Sequence, residues 1–272
     1  MSRNQDRLGG AKKNSNAPPK TNEGFSFVIP TEFVDLPSQG RYYPEGHPLH
    51  NESSIEIKQM TAKEEDILTS RTLLKKGVAL DRLIQSLIVD KSIDPNTLLI
   101  GDRNAIIVSA RVSGYGNVYS TKVDCPACQT RQDYSFDLNS ANINEGEIDA
   151  SFGATDNGDG TVTCILPKTE ITVVAKLLTG RDEKGIANMI KGDNLVSKQL
   201  ETMIVSVNGD SSKNAINYVA NNLPSIDSRH LRMIVKDATP NVDLTQEFSC
   251  SECGHTQEME VPLTADFFWP NR

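Results

Sequence analysis

The stretch Tyr119–Asp137, YSTKVDCPACQTRQDYSFD, and its distant counterpart Glu247–Leu263, EFSCSECGHTQEMEVPL, decide how this chain is read. Each sets a Cys-x-x-Cys between two strand-like runs, with Cys125 and Cys128 in the first and Cys250 and Cys253 in the second. A Cys-x-x-Cys on a hairpin tip turns both sulfurs to one side and supplies half of a tetrahedral thiolate site. Two such knuckles facing each other complete a zinc-ribbon-like site. The expected cofactor is therefore a structural Zn2+ held by Cys125, Cys128, Cys250 and Cys253. Gly254, directly after Cys253, supplies the permissive backbone that a knuckle favours, whereas Gln129 stands at that position in the first. The two pairs are 121 residues apart. That is far beyond an ordinary ribbon, so only the fold can join them.

Other readings of the cysteines fit less well. A redox Cys-x-x-Cys belongs at a helix N-terminus, where the thiolate is stabilised, and both pairs here are flanked by strand patterns. Structural disulfides belong to exported chains, and the opening MSRNQDRLGG has no apolar signal stretch. Cys164 lies in an apolar run and reads as a buried small hydrophobe. His255 is a reserve ligand that four cysteines make unnecessary.

An internal duplication accounts for the long spacing. Met60–Glu65 (MTAKEE) matches Leu178–Glu183 (LTGRDE) at an offset of 118. Asp102–Ile106 (DRNAI) matches Asp227–Leu231 (DSRHL) at 125, and the cysteine pairs match at 125 as well. Related halves would meet about an approximate two-fold, as an isologous dimer does within one chain. The expected class is α+β, in two pseudo-repeated halves that each run from helices into a knuckle hairpin. Residues 54–148 form the first, and residues 149–272 form the second with a C-terminal aromatic segment. Ahead of them lie a basic tail (1–24), expected to be disordered, and an extended arm (25–53) rich in proline and aromatic residues.

Local signals fill in the elements. Ser54–Met60 alternates as a short strand. Thr61-x-x-Glu64 has the form of a capping box and starts a helix. Val78, Leu80, Leu83, Ile84, Leu87 and Ile88 recur at helical spacing. Residues 100–112 read as a further helix, with Gly114 beyond its end. After Asp156–Gly160 (DNGDG), residues 161–167 and 171–177 read as a hairpin. That turn resembles a calcium loop for a few residues but lacks the downstream ligands and closing Glu. Helical patterns follow at 181–191, 195–207 and 212–222, and from Asp227. Pro30, Pro37, Pro44 and Pro48 argue against a helix or a central strand in residues 25–50. Such an arm packs either on its own domain or along a neighbour.

Charge and composition exclude several functions. The chain has 28 Lys and Arg against 36 Asp and Glu, a net charge of −8. The tail holds Arg3, Arg7, Lys12, Lys13 and Lys20 against Asp6 and Glu23, so the body is more acidic still. An acidic body opposes charge-driven nucleic-acid binding. No apolar run is long enough to span a membrane. No nucleophile elbow, phosphate loop or dinucleotide fingerprint is present, so no enzyme is expected. Glu64, Glu65, Asp182 and Glu183 sit in first helical turns and read as caps. Arg229, His230 and Arg232 form a small basic cluster on a helix face. Phe267, Phe268 and Trp269 form a terminal aromatic cluster that either staples the knuckles or docks on a neighbour.

These runs resemble a known family. LPSQGRYYPEGHPL (36–49), MTAKEEDILTSRTLLKKGVALDRLI (60–84), IDPN and GDRNAI within 93–106, the two knuckles and the terminal FFWP are similar to the base plate proteins of T4-like contractile-tailed bacteriophages, among them baseplate hub subunits and hub assembly proteins. The resemblance implies a structural or assembly protein of the tail tip, made in a bacterial cytoplasm and located in the virion. Its partners would be other baseplate and tail proteins, met through Phe267, Phe268, Trp269 and the 25–50 arm. The competing class is a zinc-ribbon protein that binds nucleic acid or regulates transcription. The acidic body opposes it, as does the scarcity of Lys and Arg beside the knuckles.

Overall fold

A computed structural model describes residues 28–189, 194–261 and 265–268. The tail 1–24, Phe25, Phe27 and Trp269 lie outside the described residues. The chain opens with strand β1 (Thr31–Asp35), which pairs antiparallel with β2 (Ser54–Lys58) in the register Phe33↔Glu56. Residues 28–53 are therefore not a free arm. Leu36, Tyr43 and Leu49 are buried in the chain's own core, and Ser38 is fully buried. The prolines permit this because the five residues of β1 are proline-free, and the Pro30 carbonyl still accepts from Gln59 N–H at 2.9 Å. A boundary at residue 54 would cut a paired sheet.

Helices α1 (Ala62–Thr69), α2 (Arg71–Lys75) and α3 (Ala79–Leu87) follow. α1 starts at the Thr61/Glu64 capping box, as the sequence predicts. α2 is a short turn that periodicity misses, started by the Ser70 side chain. In α3, Leu83, Ile84 and Leu87 are buried but Leu80 is exposed. The chain then enters α4 (Ile100–Tyr115), which runs past Gly114 and ends at Gly116, where φ is 83°. Gly114 lies inside the helix, with the Met60 side chain packed against it. Strands β3 (Val118–Asp124) and β4 (Arg131–Asp137) form the first knuckle hairpin, and β5 (Asn142–Asn144) follows.

The second part carries the sheet β6-β7-β8-β9, formed by β6 (Thr155–Asp156), β7 (Thr161–Ile165), β8 (Thr172–Lys176) and β9 (Ile204–Val207). Between β8 and β9 lie α5 (Gly180–Met189) and α6 (Leu195–Met203). The helical pattern expected to reach 207 stops at 203. The run Ile204-Val205-Ser206-Val207 is β-branched and gains ladder bonds with β8 instead. Then come α7 (Lys213–Asn222), α8 (Ser225–Ala238), β10 (Asn241–Asp243), and the second knuckle hairpin, β11 (Thr245–Ser249) and β12 (Thr256–Glu260). β10 pairs with β5, so the two parts share a sheet, and their buried side chains form one continuous core.

Buried carboxylates fix the same turns in both parts. Asp102 accepts from Ser38 N–H (3.0 Å), Ser38 Oγ (2.6 Å) and Tyr43 OH (2.6 Å). Asp227 accepts from Lys168 N–H (2.8 Å), Thr169 N–H (2.9 Å) and Thr169 Oγ1 (2.7 Å). Glu64 accepts from Thr61 N–H and Lys58 Nζ, and Asp182 accepts from Thr179 N–H and Lys176 Nζ. Glu64 and Asp182 satisfy backbone donors at a helix start, whereas Asp102 and Asp227 satisfy backbone donors of a distant loop.

The C-terminal turn (Ala265–Phe268) folds back on α4 and β3. Arg111 is fully buried, and among the described residues no acidic side chain pairs with it. Its Nε donates to the Phe267 carbonyl (2.5 Å), Nη1 to that of Gly116 (2.6 Å) and Nη2 to that of Val118 (3.1 Å). Three carbonyl dipoles, with the rings of Tyr115, Tyr119 and Phe267 nearby, replace the counter-charge. Phe267 and Phe268 are buried in this chain, so they serve as a staple and are not free to anchor a neighbour.

Two outcomes are expected. A Cβ on Gly101 would lie 1.8 Å from the Pro240 carbonyl oxygen, so Gly101→Ala should destabilise the chain by ~2 kcal/mol or more in denaturant unfolding. Burial alone would raise the Glu64 carboxyl, but Lys58, Ser86 and Thr61 overcome it and hold it at about 2, against an ordinary 4.5. A lowered folded value means stability present above about 4.5 and lost as pH falls toward about 2, here at most about 3 kcal/mol. Glu64→Gln should be less stable at neutral pH and should lose less across that window. Asp102, raised by burial, acts in the opposite sense.

Candidate metal centre

Two turns of the same shape present the four cysteines. In the first, Cys125 N–H donates to the Thr130 carbonyl (3.0 Å) and Gln129 N–H to the Cys125 carbonyl (2.8 Å). In the second, Cys250 N–H donates to the His255 carbonyl (2.9 Å) and Gly254 N–H to the Cys250 carbonyl (3.1 Å). The tight turn forces a positive φ on the residue after the second cysteine, 60° at Gln129 and 70° at Gly254. Glycine adopts that conformation freely, whereas Gln129 holds it at a cost of roughly 1–2 kcal/mol.

The two hairpins lie against each other. The Tyr134 and Phe248 rings are 5.1 Å apart, and Phe248 is fully buried. Tyr134 OH donates to the Glu247 carbonyl at 2.8 Å. Gln132 bridges the tips: its Nε2 donates to the Ser249 carbonyl, and its Oε1 accepts from Ser251 N–H and Oγ. Gln246 does the same at the base, with Asp137 N–H donating to its Oε1 and its Nε2 donating to the Asp137 carbonyl. No local pattern marks Gln132 and Gln246 as bridges, since alternating polar residues occur on any solvent-facing strand.

All four cysteine sulfurs lie within 4.8 Å of one another. The Sγ of Cys125 is 3.8 Å from that of Cys253, and the Sγ of Cys128 is 3.7 Å from that of Cys250. Each of these contacts joins one knuckle to the other. They are nearly twice the ~2.05 Å of a disulfide. Four sulfurs bound at ~2.3 Å to one tetrahedral ion sit ~3.8 Å apart, which is the spacing seen here. Cys125 and Cys250 are buried, while Cys128 and Cys253 face outward. Hydrogen bonds with Thr130 lower the Cys128 thiol to about 6. At Cys253 the His255 N–H favours the thiolate, but the crowding sulfurs of Cys128, Cys250 and Cys125 push the thiol up to about 12. Thiols split in this way share a space too small for several bare negative charges.

The remaining candidates are dispersed. Cys164 is buried in β7, where burial raises its thiol to about 11. His255 Nε2 lies 3.3 Å from Gln257 Oε1, outside the cluster. In the DNGDG turn, Asp156 accepts from Gly158 N–H and Tyr42 OH, and Asp159 accepts from Thr161. His230 packs edge-on to Phe152, and Arg232 donates to the Ser228 carbonyl.

No curated protein and no solved structure matches the chain. A family model described as T4 bacteriophage base plate protein matches residues 30–269. That span takes in both knuckles, the buried carboxylate anchors and the C-terminal turn, and the chain belongs to this T4 bacteriophage base plate protein family.

Proposed function

We propose that this protein is a non-enzymatic structural or assembly component of the baseplate hub of a contractile-tailed phage. On this reading it is assembled in the host cytoplasm, located in the virion tail and stabilised by one Zn2+ on Cys125, Cys128, Cys250 and Cys253. The observation that carries the reading is the convergence of four sulfurs from hairpins 121 residues apart in sequence. An all-thiolate set favours zinc over hard cations, and four protein ligands leave no open position for a substrate, which suits a structural ion. Bound there, the ion would neutralise the crowded thiolates and tie two distant parts of the chain together.

The proposal includes an internal duplication. Its support is the double occurrence of the same parts at constant offsets. β2 and β8, and the Glu64 and Asp182 caps, are separated by 118, whereas the Asp102 and Asp227 anchors and the knuckles are separated by 125. A two-fold arrangement would bring equivalent hairpins tip to tip. The first unit then begins near β1, because β1 bears the same relation to β2 that β7 bears to β8.

A nucleic-acid role has less support. The second hairpin exposes Glu247, Glu252, Glu258 and Glu260, which repel phosphate.

Native mass spectrometry of the full chain should find one zinc per chain. Cys125→Ser should lose the metal and several kcal/mol of stability, and a chelator should lower the melting temperature of the wild type but not of the variant. A chain that keeps its melting temperature in chelator, or a variant that keeps its metal, would refute the zinc clamp.

A further inference from the structure

The outer edge of β1 has a feature that the rest of the molecule handles differently. The bonds flanking the strand fix which way its backbone groups point. Gln59 N–H donates to the Pro30 carbonyl and Leu36 N–H to that of Ser53, so residues 30, 32, 34 and 36 exchange bonds with β2. The N–H and C=O groups of Thr31, Phe33 and Asp35 therefore point away from β2, and among the described residues nothing pairs with them. Thr31, Phe33 and Asp35 also share one exposed face, with Phe33 72% exposed. An open edge bearing a bare aromatic ring is a ready template for another strand.

In the second half a short strand covers the corresponding edge at Thr161 and Thr163. There Leu177 N–H donates to the Gly160 carbonyl and Leu166 N–H to that of Ile171, so the outward residues of β7 are Thr161, Thr163 and Ile165. β6 lies on that edge, with Thr155 opposite Thr163, and Asn157 N–H donates to the Thr161 carbonyl. The chain reaches this position through the DNGDG turn, in which Gly158 and Gly160 have positive φ. Before β1 the matching positions are Val28, Ile29 and Pro30, which cannot make that turn.

We propose that the outer edge of β1 binds a second copy of this chain. Thr31–Asp35 of each copy would pair antiparallel about a two-fold axis through Phe33, joining two β1-β2 ribbons into one four-stranded sheet. The strand is self-complementary in that register. The pairs 31/35, 33/33 and 35/31 use every outward N–H and C=O group. The two Phe33 rings meet at the centre, and each Asp35 carboxylate faces a Thr31 hydroxyl of the other copy. The two Asp35 side chains stay ~13 Å apart, so an acidic strand avoids its own charge. A foreign acidic strand in another register would lack that separation. The contact is isologous and closes at two copies.

Sedimentation velocity and native mass spectrometry of the full chain test the proposal. The expected mass is about 59.6 kDa, twice that of the 29.8 kDa chain. Phe33→Pro removes an outward N–H and no β1-β2 bond, and Phe33→Lys sets two like charges face to face. Both should weaken dimerisation roughly tenfold or more, with metal content unchanged and melting temperature unchanged at concentrations where the wild type is monomeric, and Phe33→Tyr should dimerise like the wild type. Hydrogen exchange should find the Thr31, Phe33 and Asp35 amides protected in the dimer and exposed in the Phe33→Lys monomer. Three results would each overturn the proposal: a wild-type monomer at ~100 µM, a dimer that both blocking variants leave intact, or protection of those amides in a monomer.

Discussion

Four cysteine sulfurs from two separate hairpins converge to within 4.8 Å of one another. Everything peripheral in this molecule is organised to hold them there. The tight turns aim each pair, and the left-handed residues Gln129 and Gly254 close those turns. The glutamine bridges and the Tyr134–Phe248 contact set one hairpin against the other. The cluster joins residues distant in sequence, because Cys125 and Cys128 come from one hairpin and Cys250 and Cys253 from the other.

Behind the hairpins, stability rests on buried acceptors as well as on apolar packing. Asp102, Asp227, Glu64 and Asp182 each gather backbone or hydroxyl donors where a loop meets a helix. A carboxylate with its acceptor sites filled fixes a loop more sharply than apolar contacts do, because its donors must sit at defined distances and angles. Arg111 is fully buried, whereas Lys236, 125 residues further on, is exposed. The C-terminal turn lies over α4 and β3, where the Phe267 carbonyl accepts from the Arg111 guanidinium.

These features suit a part that must keep its shape under load. The interlocked parts share one core and the β5-β10 sheet, so little freedom is left between them. Polar, acidic hairpin surfaces keep the knuckle end from nonspecific association. Among the described residues, the outer side of β1 presents unpaired backbone groups beside the exposed Phe33 ring.

The sequence by itself determined whatever short-range chemistry dictates. The four cysteines, the Thr61/Glu64 capping box, the β7-β8 hairpin and the paired offsets were all legible, because each depends on residues a few positions apart or on a repeated pattern. Only the tertiary structure decided the rest. Thr31–Asp35 became a strand because β2 was there to pair with it, despite four flanking prolines. Residues 204–207 left the helical pattern because the edge of β8 offered bonds. α4 runs through Gly114 with Met60 packed against it, and Phe267 and Phe268 turn inward where the Phe267 carbonyl accepts from Arg111. In each case a contact between residues distant in sequence outweighed a local preference worth about 1 kcal/mol or less, and such contacts leave no periodic mark in the chain.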